Sequence, residues 1–211
     1  MATTQQQFEK RLNIFTLTAI ALSAIAIFIT GTEQAFELSR TDLRGGQLWR
    51  FLTGHFTHWD FNHFAWDLIT FLGLGWVCVK LKIKAITPCL ILSAITISFG
   101  SLAINESIEI YRGLSGLDTS LFMLAVVTCG QLAYQKGQLH WVILMAVMVI
   151  SLLLKCLYEQ YTGLTLFADS TQSGYIPVVS AHLIGGFIGA IVGLSTSPTP
   201  SPNKYTLKPA N

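Results

Sequence analysis

The sequence predicts an all-α, polytopic membrane protein, a bundle of six transmembrane helices, and three observations carry that expectation. Of 211 residues, 52% are apolar and only 11% are charged, whereas roughly a quarter of an ordinary soluble domain is charged. Six nearly uncharged windows approach the about 20 residues that a helix needs to cross a hydrocarbon core of about 30 Å. Lys and Arg gather at the connections between those windows, with a bias toward alternate ones, as a membrane topology requires. These features exclude a disordered, collagen-like or disulfide-framework chain. The net charge of +2 lies in short clusters without a continuous basic stripe, so nucleic acid is not an expected partner.

The windows run from Leu12 to Thr30, Phe64 to Val79, Ala85 to Ile104, Ser115 to Ala133, Leu139 to Leu157 and Pro177 to Leu194. The first follows Lys10 and Arg11 and stays apolar through Ile29, past the small residues Ala24 and Ala26. It therefore reads as an uncleaved span rather than a signal peptide. The second has the shortest clean run and is interrupted by Asp67. Residues 1–11 are expected to form a cytoplasmic N-terminus and residues 12–194 the membrane domain. Residues 195–211, rich in Ser, Thr and Pro without a periodic apolar face, are expected to be a disordered cytoplasmic tail. The connection over 31–62 is the longest, and its Phe and Trp residues fit a structured element at the membrane interface. Cys78, Cys89, Cys129 and Cys156 fall within or at the ends of spans with no C-x-x-C pair. They read as structural thiols, with neither disulfide nor metal indicated.

Positive residues favour the cytoplasmic side. With the N-terminus inside, cytoplasmic stretches hold Lys10, Arg11, Lys80, Lys82, Lys84, Lys136, Lys204 and Lys208. The other side holds Arg40, Arg44, Arg50, Arg112 and Lys155. This split of eight to five favours both termini inside. Spans two, four and six then run from outside to inside, so their N-terminal ends share one depth in the outer half of the membrane.

Polar residues in apolar spans are costly without a partner or a task. Three of them fall at that shared depth: Ser115 in Gly113-Leu114-Ser115-Gly116, His182 after Pro177, and His63 after Asp60 and Asn62. A serine hydroxyl attacks a carbonyl only when a nearby base accepts its proton, and Ser115 with His182 supplies such a pair. An oxyanion would find donors in the backbone at Leu114 and Ser115, at a helix N-terminus, and in His63. Close helix packing would be needed, and Gly185, Gly189 and Gly193 face that requirement on span six, with Gly116 and Ser120 on span four.

Trp49-Arg50-x-x-Thr53, His58, His63, Gly113-Leu114-Ser115-Gly116 and Ala181-His182-x-x-Gly185-x-x-x-Gly189 together resemble the signature set of rhomboid intramembrane serine proteases. The resemblance spans roughly Trp49 to Gly193. It implies a six-helix rhomboid-like bundle, a Ser115/His182 dyad, His63 in the oxyanion site, and no cofactor. Substrates would be transmembrane segments of other proteins entering laterally near span five. A bacterial inner membrane is the implied location, with the active site toward the periplasmic side. Tyr111-Arg112-Gly-Leu-Ser-Gly and Trp49-Arg-Phe-Leu-Thr-Gly-His55 further resemble rhombosortases. Their substrates carry a C-terminal Gly-Gly signal, a hydrophobic helix and basic residues. The alternative is a catalytically silent rhomboid-like scaffold that binds transmembrane clients.

The chain departs from the family pattern at two positions. Many rhomboids place asparagine four residues after the oxyanion histidine, where this chain has Asp67. An ionised carboxylate would repel the oxyanion, so Asp67 is expected to be protonated or hydrogen-bonded to His63, orienting that ring. Thr119 stands where many relatives have a tyrosine packed on the dyad histidine. Asp118 has no role carried over from the family and is expected to make a structural hydrogen bond. His55, His58, Asp60 and His63 have a spacing that could hold zinc, but no H-E-x-x-H is present and a metal is not expected.

Overall fold

The computed structural model describes residues 4–169 and 174–196. Six long helices dominate: α1 (Thr4–Thr30), α5 (Phe61–Lys80), α6 (Ile86–Ile104), α7 (Ser115–Gln135), α8 (Leu139–Thr162) and α9 (Val179–Ser195). Between α1 and α5 lie the short helices α2 (Glu33–Phe36), α3 (Arg40–Arg44) and α4 (Arg50–Thr53), with a 3-10 turn over Gly54–Phe56. Strands β1 (Leu38–Ser39) and β2 (Ile110–Tyr111) pair antiparallel, Leu38 with Tyr111 and Ser39 with Ile110. The architecture is the all-α polytopic bundle that hydropathy predicts. The expected tail from Ser195 falls, beyond Thr196, outside the described residues.

By length and composition, α1, α6, α7 and α8 are each long and apolar enough to cross a membrane. The 20 residues of α5 include His63, Asp67 and Lys80, and the 17 of α9 are apolar apart from Ser180, His182 and Ser195 and span about 26 Å at 1.5 Å per residue. Two helices outrun their hydropathy windows. α1 begins at Thr4, taking Lys10 and Arg11 into its first turns. α8 continues to Thr162, where Gly163 ends it in the left-handed conformation at φ +71°.

α7 lies at the centre, against α5, α6, α8 and α9, and its closest seam is with α9. A Cβ built on Gly185 would run into the Gly116 carbonyl oxygen, and one on Gly189 into the Ser120 carbonyl oxygen. Only hydrogen fits at either contact, so the glycine spacing sets the helix separation. Asn13 shows how a polar group inside the bundle is paired. Asn13 of α1 donates to the carbonyls of Ile83 and Lys84, each at 3.1 Å, and accepts from the Thr87 N–H at 3.0 Å and hydroxyl at 2.9 Å. That one side chain locks α1 to the α5–α6 turn.

The segment between α1 and α5 is folded around Arg50, which is 5% exposed. Its guanidinium donates to the carbonyls of Gln34 at 3.1 Å and Glu37 at 2.6 Å and to Gln47 Oε1 at 2.9 Å, and pairs with Asp42 at 3.2 Å. Arg112 ties this segment to the chain entering α7. It bonds Glu37 through Nε at 2.7 Å and again through Nη2, donates to the His58 carbonyl at 3.1 Å, and lies 4.4 Å over the Trp59 ring. The loop before α7 is thereby braced on a folded platform.

Candidate active site

The start of α7 is shaped by Gly113, whose φ of +122° strains any L side chain. A Cβ there would also sit 2.8 Å from His63 Nε2 and 3.1 Å from Asp67 Oδ2. This close approach brings Ser115, the first residue of α7, beside α5. Across the α7–α9 seam, His182 is the fourth residue of α9 and 5% exposed. Its Nε2 lies 3.0 Å from Ser115 Oγ. An imidazole in that contact can take the hydroxyl proton as the oxygen attacks a carbonyl carbon.

The other face of His182 meets α8. Glu159 Oε2 lies 3.0 Å from His182 Nδ1 and 2.8 Å from Lys155 Nζ, and Lys155 Nζ itself lies 3.2 Å from Nδ1. Sequence reasoning missed this group. It counted Lys155 with the outer connection, whereas the residue lies within α8 and faces the site. The available signal was a Lys and a Glu four residues apart in an otherwise apolar span, where ionisable side chains mark function by default.

On the opposite side of Ser115, Asp67 Oδ2 accepts the backbone N–H groups of Leu114 at 2.8 Å and Ser115 at 3.2 Å. The same oxygen lies 3.2 Å from His63 Nε2 and 3.3 Å from His58 Nε2. His63 Nδ1 faces the Trp59 N–H at 3.5 Å, and Tyr175 stacks on the ring with centroids 4.8 Å apart. His55 is turned elsewhere: its Nε2 lies 3.0 Å from both the Ala94 carbonyl and Ser98 Oγ. Burial pushes the His55 imidazole down to about 4 and holds His58 below its ordinary range, so both rings are neutral at neutral pH. Among the described residues no set of three His, Cys, Asp or Glu side chains converges as a metal site.

A cavity of about 1090 Å³ opens on this group, between α5, α7, α8 and α9, with Trp66, Phe122, Met148, Phe167 and Ile176 in its walls. Ser115 and His182 thus meet at the head of an apolar-walled cavity between long apolar helices. The Rhomboid domain model covers residues 45–199. The chain belongs to the rhomboid family. Members of that family are generally intramembrane serine proteases, and this rhomboid is an integral membrane protein by its helices and its domain. No curated protein matches the chain.

Within this rhomboid, the two departures have a place. Thr119 donates its hydroxyl to the Ser115 carbonyl at 2.8 Å, and its methyl group would meet a Cβ on Gly186 at 3.4 Å. It thus fills space between α7 and α9 without stacking on His182. Asp67 occupies, with one oxygen, the donors that an oxyanion would need. Asp118, expected to make a structural hydrogen bond, is 6% exposed and lines the cavity, and its Oδ1 has no hydrogen-bond partner among the described residues. It lies one turn past Ser115, so its side chain follows the cavity wall rather than the bundle's polar contacts.

Proposed function

We propose that this rhomboid is an intramembrane serine endopeptidase with Ser115 as nucleophile and His182 as general base. The observation that carries the reading is the 3.0 Å contact between Ser115 Oγ and His182 Nε2 at the head of the cavity. As Oγ bonds to the scissile carbonyl carbon, its proton passes to Nε2. The carbonyl oxygen becomes an anion, stabilised by the N–H groups of Leu114 and Ser115 and by His63. Nε2 then returns the proton to the leaving amine, and water repeats the sequence on the acyl-enzyme. A fluorophosphonate is expected to label the native chain in detergent or lipid and to leave Ser115→Ala unlabelled. An unlabelled native chain would favour the silent scaffold, and labelling that persists in Ser115→Ala would move the nucleophile elsewhere.

The substrates we propose are transmembrane or C-terminal anchor segments entering beside α8. The rhombosortase-like stretches around Arg112 and Arg50 favour proteins that end in a Gly-Gly signal, a hydrophobic helix and basic residues. The Lys and Arg distribution supports cytoplasmic termini and an active site toward the periplasmic face of a bacterial inner membrane. Cleavage profiling of co-expressed single-span proteins is expected to find the Gly-Gly class cut and conventional rhomboid substrates spared.

Asp67 supplies a further prediction. Its carboxylate must give up the Leu114 and Ser115 N–H groups before an oxyanion forms there, and its negative charge opposes that anion. Asp67→Asn removes the charge and offers a donor, so kcat is expected to rise, by up to about tenfold, or about 1.4 kcal/mol off the barrier. A fall below the parent kcat would show that the carboxylate serves catalysis.

A further inference from the structure

Only Cys156 and Glu159 are buried along the 24 residues of α8, the helix otherwise most open to its surroundings. A carboxylate turned inward from such a helix calls for a partner of matching chemistry. Glu159 is 2% exposed. Its Oε1 accepts the Leu166 N–H at 3.3 Å, which fixes the carboxylate against the chain that follows α8. Its Oε2 reaches both Lys155 Nζ, at 2.8 Å, and His182 Nδ1, at 3.0 Å. The remaining ring nitrogen of His182 is the one facing Ser115.

From this juxtaposition we infer that Glu159 is the positioning residue of a Ser115–His182–Glu159 triad, its carboxylate held in place by Lys155. The inference rests on the protease reading and extends it from a dyad to a triad. Hydrogen bookkeeping at the imidazole gives the reason. Nε2 can take the Ser115 proton only if it carries a lone pair, so the ring hydrogen must sit on Nδ1. Nδ1–H then needs an acceptor, which Glu159 Oε2 provides. Lys155 Nζ, 3.2 Å from the same nitrogen, has donors and no acceptor, and by itself would favour the unproductive tautomer. Glu159 takes up the ammonium and selects the productive one. When Nε2 accepts the serine proton, the carboxylate also faces the positive ring that results. The third group rides on α8, beside the proposed entrance, so displacement of α8 would separate it from His182 and leave the ring without its orienting partner.

The test compares Glu159→Gln, Lys155→Gln and the double variant with the native chain on one cleavable transmembrane substrate. In Glu159→Gln, Lys155 and the new amide both can donate to Nδ1 and drive the hydrogen onto Nε2. We expect kcat to fall about 10²–10⁴-fold, as for loss of a histidine-orienting carboxylate, with KM changed less than about threefold. Removing Lys155 as well leaves the glutamine free to turn its oxygen to Nδ1, so the double variant is expected to recover at least about tenfold over Glu159→Gln. Nitrogen NMR of histidine-labelled native protein is expected to find Nδ1 of His182 protonated and Nε2 bare. This measurement decides the matter if Glu159→Gln fails to fold. Native kcat in a folded Glu159→Gln, a double variant no better than the single, or a bare Nδ1 in the native chain would each overturn the triad. Any of these, with Ser115-dependent cleavage intact, leaves the protease reading standing. A native chain with no Ser115-dependent cleavage removes both.

Discussion

Gly189→Ala is expected to lower proteolysis about 10²-fold without replacing any catalytic side chain. The added methyl group would overlap the Ser120 carbonyl oxygen, with Ser120 C and Cα only 2.9 and 3.0 Å away. These are backbone atoms of a helix, so neither can yield by rotating a side chain. α9 must instead move away from α7 by roughly an ångström, at a cost of about 1–3 kcal/mol in stability. The contact between Ser115 and His182 spans that same seam, and a displacement of about 1 Å at a reacting pair can lower the rate about 10²-fold. Gly185→Ala acts at the neighbouring contact, against Gly116, one turn from His182, and is expected to do the same. Gly186→Ala is the control. There a Cβ meets Thr119 Cγ2 at 3.4 Å and Met123 Cγ at 3.5 Å, ordinary van der Waals distances, and activity should stay near the parent value. Substrate cleavage with purified variants, alongside thermal melting, separates these outcomes. A Gly189→Ala enzyme with parental kcat would show that the seam tolerates opening and that the dyad is not held by it.

The parts of this protein that a linear reading reached are those where the chemistry itself restricts the residue. Ser115 between glycines, His182 above a four-residue glycine repeat, and His63 at a helix start are each unusual in an apolar span, so they stand out one residue at a time. Lys155 and Glu159 do not, because hydropathy averaged over a window loses which face of α8 each side chain occupies. That the loop between α1 and α5 is a structured element is legible from its aromatic residues. Its internal order is not. The contacts that make it, Arg50 to Glu37 and Glu37 to Arg112, join residues 13 and 75 positions apart, and no local pattern encodes the second. The histidines of this region show the same limit. As a cluster in sequence they resemble metal ligands, yet His55 joins α6 through Ala94 and Ser98 while His58 and His63 face Asp67. Only the tertiary contacts distinguish a bracing imidazole from one that borders the start of α7.

His63→Ala is expected to lower kcat about 10²–10³-fold, the usual consequence of deleting one oxyanion donor, or about 3–4 kcal/mol. The ring's surroundings fix which nitrogen donates. The Trp59 N–H points at Nδ1, which must therefore be the lone-pair nitrogen, leaving the hydrogen on Nε2. Nε2 in turn lies 3.2 Å from Asp67 Oδ2, the oxygen that also holds the Leu114 and Ser115 N–H groups. Three donors thus converge on one point beside the nucleophile, and a tetrahedral oxyanion formed on Ser115 would take the place of the carboxylate oxygen. Because that charge exists only in the transition state and intermediate, loss of His63 should appear in kcat with little change in KM. Phosphonate labelling should slow in parallel, since attack on phosphorus develops the same negative oxygen. The Ser115–His182 contact involves neither His63 nor α5, so the variant should still be labelled to completion at long times. A kcat within about threefold of the parent would mean that the two backbone N–H groups carry the oxyanion alone, well short of the loss expected for a working donor, and would return His63 to a purely structural role under Tyr175.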